Sequence, residues 1–233
     1  MRQLALQLSA QPEASFANFV PGRNAEALGV LRTLAGGRGC ERFVYLWGAR
    51  GSGRAHLLQA FAAAAAAAGK RACRLVAPVA ASALAALDGD SVVALEGVEH
   101  LDGEAQRALF GLYNRIRDGG GALVASGEAA PAGLALRSDL ATRLAWGLVY
   151  EVHALGDEEK AQAMSARAAQ FGFVLPLEAQ AHILRHGRRD LPSLLALVDL
   201  IDRHSLAEQR TVTLALVREV LRMAQDEPRD TGD

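Results

Sequence analysis

The sequence is poor in cysteine, in aromatic residues and in net charge, and each shortage excludes a class of protein. Its 233 residues include two cysteines, 5% aromatic residues and a formal net charge of −1. Cys40 and Cys73 are far apart and follow no metal-ligand spacing, which argues against a disulfide framework and favours a reducing, cytoplasmic location. Because a nearly neutral chain has no strong overall attraction for nucleic acid, we expect any DNA contact to be indirect or weak.

We expect no membrane segment and no secretory leader, and the sequence shows no motif of the common hydrolases. The alanine run Ala62–Ala68 is too short to span a bilayer and is typical of the end of a stable helix. Gln3 and Gln7 interrupt the apolar stretch that a signal peptide needs. The six histidines show no ligand spacing, and no Gly-x-Ser-x-Gly elbow is present. We therefore predict no metal site, no membrane association and no serine-hydrolase or metal-hydrolase activity.

A glycine-rich loop at residues 48–55 is the most informative motif that is present. It reads Gly-Ala-Arg-Gly-Ser-Gly-Arg-Ala, whereas an intact phosphate loop has glycine, four residues and then Gly-Lys-Ser/Thr. The loop follows the apolar run Phe43–Trp47 and precedes a helical pattern that begins at His56. This strand–loop–helix context predicts a nucleotide-binding fold in which two residues of the motif are replaced.

The two replaced residues change what the loop is expected to do. In such a loop, backbone N–H groups surround the phosphates at a helix N-terminus. Arg54 retains a positive charge on a larger, forked group, but Ala55 cannot bind Mg²⁺, so a well-formed Mg²⁺ site is not expected. The alternative is a glycine-rich turn that binds no ligand. The residues predicted to line the phosphate site are Gly48, Gly51, Ser52, Gly53, Arg54 and Ala55.

A carboxylate after the third apolar run is the second part of the predicted site. Val92–Leu95 lead into Glu96, where proteins of this class place the acid associated with Mg²⁺. The next position, which often orients the attacking water, is Gly97, and the direction of Glu99 is not set by the sequence. We therefore predict that the chain binds a nucleotide but is not an efficient ATPase by itself. The alternatives are a polar strand end at Glu96 and an ordinary ATPase with unusual motif residues.

Apolar runs alternate with helical patterns through the first 150 residues, which predicts a parallel sheet covered on both faces. The predicted strands are Phe43–Trp47, Ala72–Val76, Val92–Leu95, Ala122–Ala125 and Leu148–Val152. The predicted helices between them are Ala55–Ala68, Ser82–Leu87, Glu104–Arg117 and a short one near Asp139–Leu144.

After His153 only helical patterns remain. Asp157 is the predicted N-cap of a helix to Phe171, and Pro176 begins a second helix that Gly187 ends. Asp190–Ser205 and Thr213–Met223 complete a predicted four-helix set. The expected organisation is a mobile tail at residues 1–12, an α/β domain at 13–155, a helical domain at 156–225 and a disordered tail at 226–233.

Several segments, in the same order, resemble the DnaA/Hda family of AAA+ proteins. The resemblance implies a P-loop αβα domain of three layers with a five-stranded parallel sheet, followed by a small helical lid. We expect no helix-turn-helix domain like that of DnaA, because no segment of the sequence resembles it, and the chain is similar to the shorter, Hda-like members. The segments that carry the resemblance are residues 16–24, 45–48, 56–60, 112–116 and 139–147.

The resemblance assigns Arg143, in Asp139–Gly147, as an arginine finger that acts in trans. Hda-like members stimulate hydrolysis of ATP bound to DnaA while they are attached to the DNA-loaded sliding clamp of DNA polymerase III. The implied function is therefore negative regulation of replication initiation, and a homo-oligomer is left open. One alternative for Arg143 is a surface arginine in a helix salt bridge. The alternative for the chain is an inactive AAA+ adaptor that tethers a replication factor to the clamp.

The resemblance also implies ADP as the bound nucleotide, with ATP as the alternative. Phe19 and Val20 belong to the segment that lies beside the adenine in this family. Arg189 matches the lid arginine that senses the nucleotide, although the neighbouring Arg188 leaves the register open by one residue. Glu128 stands at the sensor position after the fourth strand, and a solvated loop acid is the alternative.

The N-terminal tail resembles the clamp-binding peptide of the family, Gln-Leu-x-Leu-x-Leu. A leading glutamine with spaced leucines can fill an apolar groove on a partner. Gln7 stands where the family often has proline. The residues predicted to bind the clamp are Gln3, Leu4, Leu6 and Leu8.

Overall fold

The computed structural model describes residues 13–226. Contacts divide the chain between Ala154 and Leu155 into two compact units, which are described separately below. The predicted clamp-binding residues Gln3, Leu4, Leu6 and Leu8 lie outside the described residues, as does the C-terminal tail from 227 onward. Within residues 13–226, no helix is both long and apolar enough to cross a bilayer.

The first unit is a five-stranded parallel sheet with helices on both faces, as the sequence predicts. The strands are β1 (Phe43–Trp47), β2 (Ala72–Val76), β3 (Val92–Glu96), β4 (Ala122–Gly127) and β5 (Leu148–Glu151). Their order in the sheet is β2-β3-β4-β1-β5, and every pair of neighbours is parallel. The helices are α1 (Ala25–Ala35), α2 (Arg54–Ala67), α3 (Ala81–Ala85), α4 (Gly103–Asp118) and α5 (Ser138–Trp146).

Side chains of the central strands alternate between two apolar clusters, one on each face of the sheet. On β1, Val44 and Leu46 pack in the cluster that contains the apolar side chains of α1 and α2. Tyr45 points the other way, into the cluster that contains Leu109 and Leu112 of α4. Because successive strand residues point to opposite faces, this alternation also decides on which face each polar residue at a strand end lies.

Helix α1 is a part of the first unit that the sequence prediction did not assign. Just before it, the buried side chain of Asn24 hydrogen-bonds the backbone of His153 in both directions, at 2.9 Å to the carbonyl and 2.8 Å from the N–H. Buried amides need such partners. This pair therefore joins the start of α1 to the chain just beyond β5, at the edge of the sheet next to the phosphate loop.

The second unit contains four helices within residues 155–226. The sequence prediction of Asp157 as the N-cap of the first of these helices, α6 (Asp157–Gln170), is wrong, because Asp157 is the first helical residue and Gly156 is the N-cap. The Glu159 carboxylate accepts a hydrogen bond from the Gly156 N–H at 2.8 Å, so the side chain of Asp157 is left for another partner. The helices are α6 (Asp157–Gln170), α7 (Leu177–His186), α8 (Leu191–Glu208) and α9 (Leu214–Asp226).

Candidate nucleotide-binding site

The loop at residues 48–55 lies between β1 and α2 and has the backbone that its glycines allow. Gly48, Gly51 and Gly53 have φ angles of 154°, 82° and 105°, values that side chains disfavour. A Cβ atom on Gly48 would lie 2.3 Å from the carbonyl oxygen of Val152. Glycine is therefore required at Gly48 by a close approach of the backbone as well as by its φ angle.

The loop presents donor groups that suit a phosphate. Among residues 13–226, no side chain caps the start of α2 at Gly53, so the N–H groups of its first turn are available to an anion. The Ser52 side chain is buried, and its Oγ atom has no hydrogen-bond partner among the same residues. Buried polar atoms are rarely left without a partner. The loop therefore fits a bound phosphate group.

Arg54 and Ala55 differ sharply in what they add to this loop. Arg54 is half-buried, and its charge acts on Tyr45 of β1. Burial raises the pKa of Tyr45, the Glu99 carboxylate raises it further, and the Arg54 guanidinium lowers it. Ala55 is exposed and offers only a methyl group. The loop thus keeps a cation but has no hydroxyl ligand at the position where a phosphate loop usually supplies one.

Glu96 lies at the end of β3, on the face of the sheet that packs against α2. It is two residues beyond Ala94, which belongs to that face, and its neighbour in register on β4 is Ser126. The Arg74 guanidinium of β2 donates to the Glu96 carboxylate at 2.5 Å. Both side chains are about a quarter to a third exposed, at 32% for Arg74 and 26% for Glu96. Arg74 is not predicted as a site residue by the sequence, because its place beside Glu96 depends on the pairing of two strands.

These residues do not fit a Mg²⁺ site of the usual phosphate-loop kind. Mg²⁺ takes oxygen ligands in a near-octahedral arrangement, and the loop hydroxyl that supplies one of them is replaced by Ala55. The remaining acid, Glu96, is already neutralised by Arg74. Ser126 is fully buried and its Oγ has no hydrogen-bond partner among the described residues, so a polar group remains beside Glu96.

Glu99 lies on the opposite face of the sheet from Glu96. It belongs to a short 3₁₀ turn, Val98–His100, and its side chain is 17% exposed. Its Oε2 atom is 2.8 Å from the position of a Cβ on Gly127, where the Tyr45 hydroxyl also approaches. Tyr45 packs in the cluster of α4. The structure thus gives Glu99 a direction that the sequence left open, and it is away from the face of Glu96.

Phe19 contacts the phosphate loop, whereas Glu128 lies at the same edge of the sheet. The Phe19 ring carbon Cε2 is 3.0 Å from the position of a Cβ on Gly53, and the ring lies 5.3 Å from that of His56. Val20 follows and is half-buried. Glu128 is exposed directly after Gly127, whose neighbour on β1 is Trp47, the last residue before the loop.

Arg188 and Arg189, in the second unit, both have acidic partners. Arg189 donates to both carboxylate oxygens of Asp157, at 2.7 and 2.9 Å. Arg188 pairs with Asp190 at 3.1 Å. Arg188, Arg189 and Asp157 are exposed, so breaking these ion pairs costs little free energy. Asp157, whose side chain does not cap α6, is therefore the partner of Arg189, the predicted sensor arginine.

Arg143, on α5, is surrounded by three aromatic rings. Its guanidinium carbon lies 4.1 Å from the ring centre of Trp146, 5.7 Å from that of Phe110 and 5.8 Å from that of Tyr113. We call these three rings the aromatic cage. The Nη1 atom of Arg143 is buried and has no hydrogen-bond partner among the described residues. The salt-bridge alternative is not supported within those residues, because the guanidinium faces rings rather than a carboxylate.

Comparison with known proteins agrees with this architecture in both units. Residues 157–221 match the family described as Hda, lid domain. Domain III of the replication initiation protein DnaA from Thermotoga maritima has a similar structure, with a TM-score of 0.71 and 18% identity over 93% of this chain and 98% of that chain. These matches support an AAA+ protein of the DnaA/Hda type. The family resemblance read from the sequence is thereby confirmed.

Two other solved structures are also similar to this chain. AMPPCP-bound DnaA from Aquifex aeolicus has a TM-score of 0.71 and 19% identity over 92% of this chain and 70% of that chain. A RuvB variant from Thermotoga maritima has a TM-score of 0.67 and 18% identity over 91% of this chain and 72% of that chain. At these identities the structural likeness concerns the fold, and the lid match is what distinguishes the DnaA/Hda type.

Proposed function

We propose that this chain is a DnaA-related regulator of replication that binds the DNA-loaded sliding clamp and stimulates hydrolysis of ATP bound to DnaA. The observation that carries the proposal is the state of its own hydrolytic residues. Ala55 and Gly97 lack the functional groups of an ATPase, and Glu96 is paired with Arg74. A chain with this site is better suited to act on a nucleotide held by a partner than on its own.

In this proposal Arg143 reaches the nucleotide of DnaA. A guanidinium beside the transferred phosphoryl group stabilises the charge that develops in the transition state, and such arginine fingers contribute about 10³–10⁵ in rate. That factor corresponds to about 4–7 kcal/mol of activation free energy. In this structure the guanidinium lies within the aromatic cage and has no carboxylate partner among the described residues.

The chain's own nucleotide is proposed to be ADP, with ATP as the alternative. Backbone N–H groups of the loop and the charge of Arg54 suit the phosphates, and the Phe19 ring at the loop suits a position beside the adenine. The lid arginine Arg189 can exchange its exposed Asp157 partner for a phosphate at little cost. In this proposal ADP is the ligand that Arg189 senses, and the bound nucleotide controls the action of Arg143.

Attachment to the clamp is assigned to the N-terminal peptide that lies outside the described residues. Gln3 would lead an extended segment whose Leu4, Leu6 and Leu8 fill an apolar groove on the clamp. The resulting tether raises the effective concentration of Arg143 near DnaA without adding a contact between the two proteins.

The deciding experiment measures hydrolysis of DnaA-bound ATP in the presence of DNA-loaded clamp. The intact chain is compared with Arg143→Ala, with a chain lacking residues 1–10, and with Arg107→Ala. Arg107 is an exposed arginine on α4 and is the matched control. Loss of stimulation in the first two variants but not in the control supports the proposal. Full stimulation by Arg143→Ala would reject the arginine-finger role.

A second candidate is an AAA+ adaptor that tethers a replication factor and does not stimulate hydrolysis. The observation that favours it is the aromatic cage, because a guanidinium held 4.1 Å from Trp146 has a stabilising structural role in its present position. If the intact chain binds the clamp and DnaA but leaves the hydrolysis rate unchanged, this second function replaces the first.

A further inference from the structure

We infer that Arg74 takes the place of a divalent cation at Glu96, so that the nucleotide site binds a nucleoside diphosphate without Mg²⁺. The inference rests on the proposed nucleotide site, but not on stimulation of DnaA or on clamp binding. It follows from the mismatch between the residues of this site and the ligands that Mg²⁺ requires.

The geometry places a fixed positive charge where the acid would otherwise need a metal ion. Arg74 and Glu96 project from the same face of neighbouring strands, because Arg74 lies opposite Ala94 and Val76 lies opposite Glu96. The contact between Arg74 Nη2 and Glu96 Oε2 is 2.5 Å. A guanidinium cannot lose its proton at any pH that the protein survives. The cation at Glu96 is therefore covalently part of the chain.

The loop shows the complementary change. With Ala55 in place of a hydroxyl residue, a metal ion between loop and nucleotide would lose one of its protein ligands. Phosphate oxygens still have the N–H groups of the first turn of α2, where no side chain of residues 13–226 forms a cap. Arg54 adds a positive charge at that turn. These donors suit the two phosphates of a diphosphate without a bridging metal ion.

The first test compares ADP affinity in EDTA and in Mg²⁺ for the full-length chain by isothermal titration calorimetry. We expect the two dissociation constants to agree within about twofold, because neither Ala55 nor the paired Glu96 offers a ligand to the ion. If ADP binds only when Mg²⁺ is present, the inference is wrong.

The second test removes Arg74 and its partner in turn. Arg74→Gln leaves an uncompensated carboxylate at the same edge of the sheet as the phosphate loop, so ADP affinity in EDTA should fall about tenfold and Mg²⁺ should restore part of it. The double variant Arg74→Gln with Glu96→Gln removes both charges and should bind ADP in EDTA more tightly than Arg74→Gln alone. Arg71→Gln is the control, because Arg71 is exposed and pairs with Asp88 and Asp90 instead. If Arg74→Gln keeps metal-independent affinity, Arg74 does not have this role.

The outcomes separate this inference from the proposed function. Metal-independent ADP binding without stimulation of DnaA supports the inference and rejects the regulator function. Stimulation of DnaA together with ADP binding that strictly requires Mg²⁺ supports the regulator function and rejects the inference. Failure to bind ADP in either buffer would overturn the inference together with the nucleotide part of the proposed function, while the hydrolysis assay would still test Arg143.

Discussion

Replacing Trp146 by alanine should release Arg143 from its closest contact. The Trp146 ring centre lies 4.1 Å from the guanidinium carbon, against 5.7 Å and 5.8 Å for Phe110 and Tyr113. A cation over an aromatic face is stabilised by about 0.5–1 kcal/mol when exposed and by about 2 kcal/mol or more when it is desolvated. Trp146 is 63% exposed, whereas the Nη1 atom of Arg143 is buried. We therefore expect about 1 kcal/mol for this contact.

A double-mutant cycle in unfolding free energy measures that contact without any assumption about function. Urea unfolding of the wild type, Arg143→Ala, Trp146→Ala and the double variant gives the coupling energy directly. Trp146→Phe retains a ring and should keep a larger share of the coupling than alanine does. A coupling energy below about 0.3 kcal/mol, which is within the usual additivity of independent sites, would refute the cation–π account of the cage.

Trp146→Ala, which should lower the stability of the protein, should also raise its proposed activity. If the cage holds Arg143 back, releasing about 1 kcal/mol of resting stabilisation should raise stimulated hydrolysis by about fivefold, because a binding-competent state becomes more populated. If Trp146→Ala instead loses stimulation as fully as Arg143→Ala does, the cage presents the arginine to its partner rather than restraining it.

Two further predictions concern stability. Gly48→Ala should lower the unfolding free energy by about 3 kcal/mol in urea denaturation, because its Cβ would lie 2.3 Å from the Val152 carbonyl oxygen. Gly51→Ala, where no described atom lies within 4 Å, should lose only about 1–2 kcal/mol from its φ angle, and equal losses would contradict the clash. Asp190→Ala should cost about 1 kcal/mol at neutral pH, because the carboxylate caps α8 by accepting from the Ser193 N–H at 3.0 Å. Burial raises the pKa of Asp190, but hydrogen bonds from Ser193 and the Arg188 guanidinium bring it below its ordinary value. The stabilisation is therefore present above the unfolded-state pKa and is lost as the pH falls through the folded-state pKa; Asp190→Asn should keep a pH-independent cap, and a penalty for alanine that persists at low pH would contradict this.

The sequence by itself determined the elements whose signals are local. The strand–loop–helix order around residues 48–55 follows from adjacent residues, and the apolar runs of a parallel sheet are continuous because both faces are buried. Ala55 has no hydroxyl group and Gly97 has no carboxylate, and neither fact depends on how the chain folds. The local sequence does not fix the exact ends of the helices. At the start of α6 both Gly156 and Asp157 suit the N-cap position, and the backbone conformation places Gly156 there.

The tertiary structure alone decided which charges meet. Arg74 neutralises Glu96 only because β2 pairs with β3 in one register, and a shift by one residue would turn the two side chains to opposite faces. The same alternation of faces separates Glu99 from Glu96. Arg143 meets Trp146 within one helix, but the rings of Phe110 and Tyr113 come from α4. Such contacts join residues from separate elements, and their existence depends on packing geometry that no local pattern of amino acids carries.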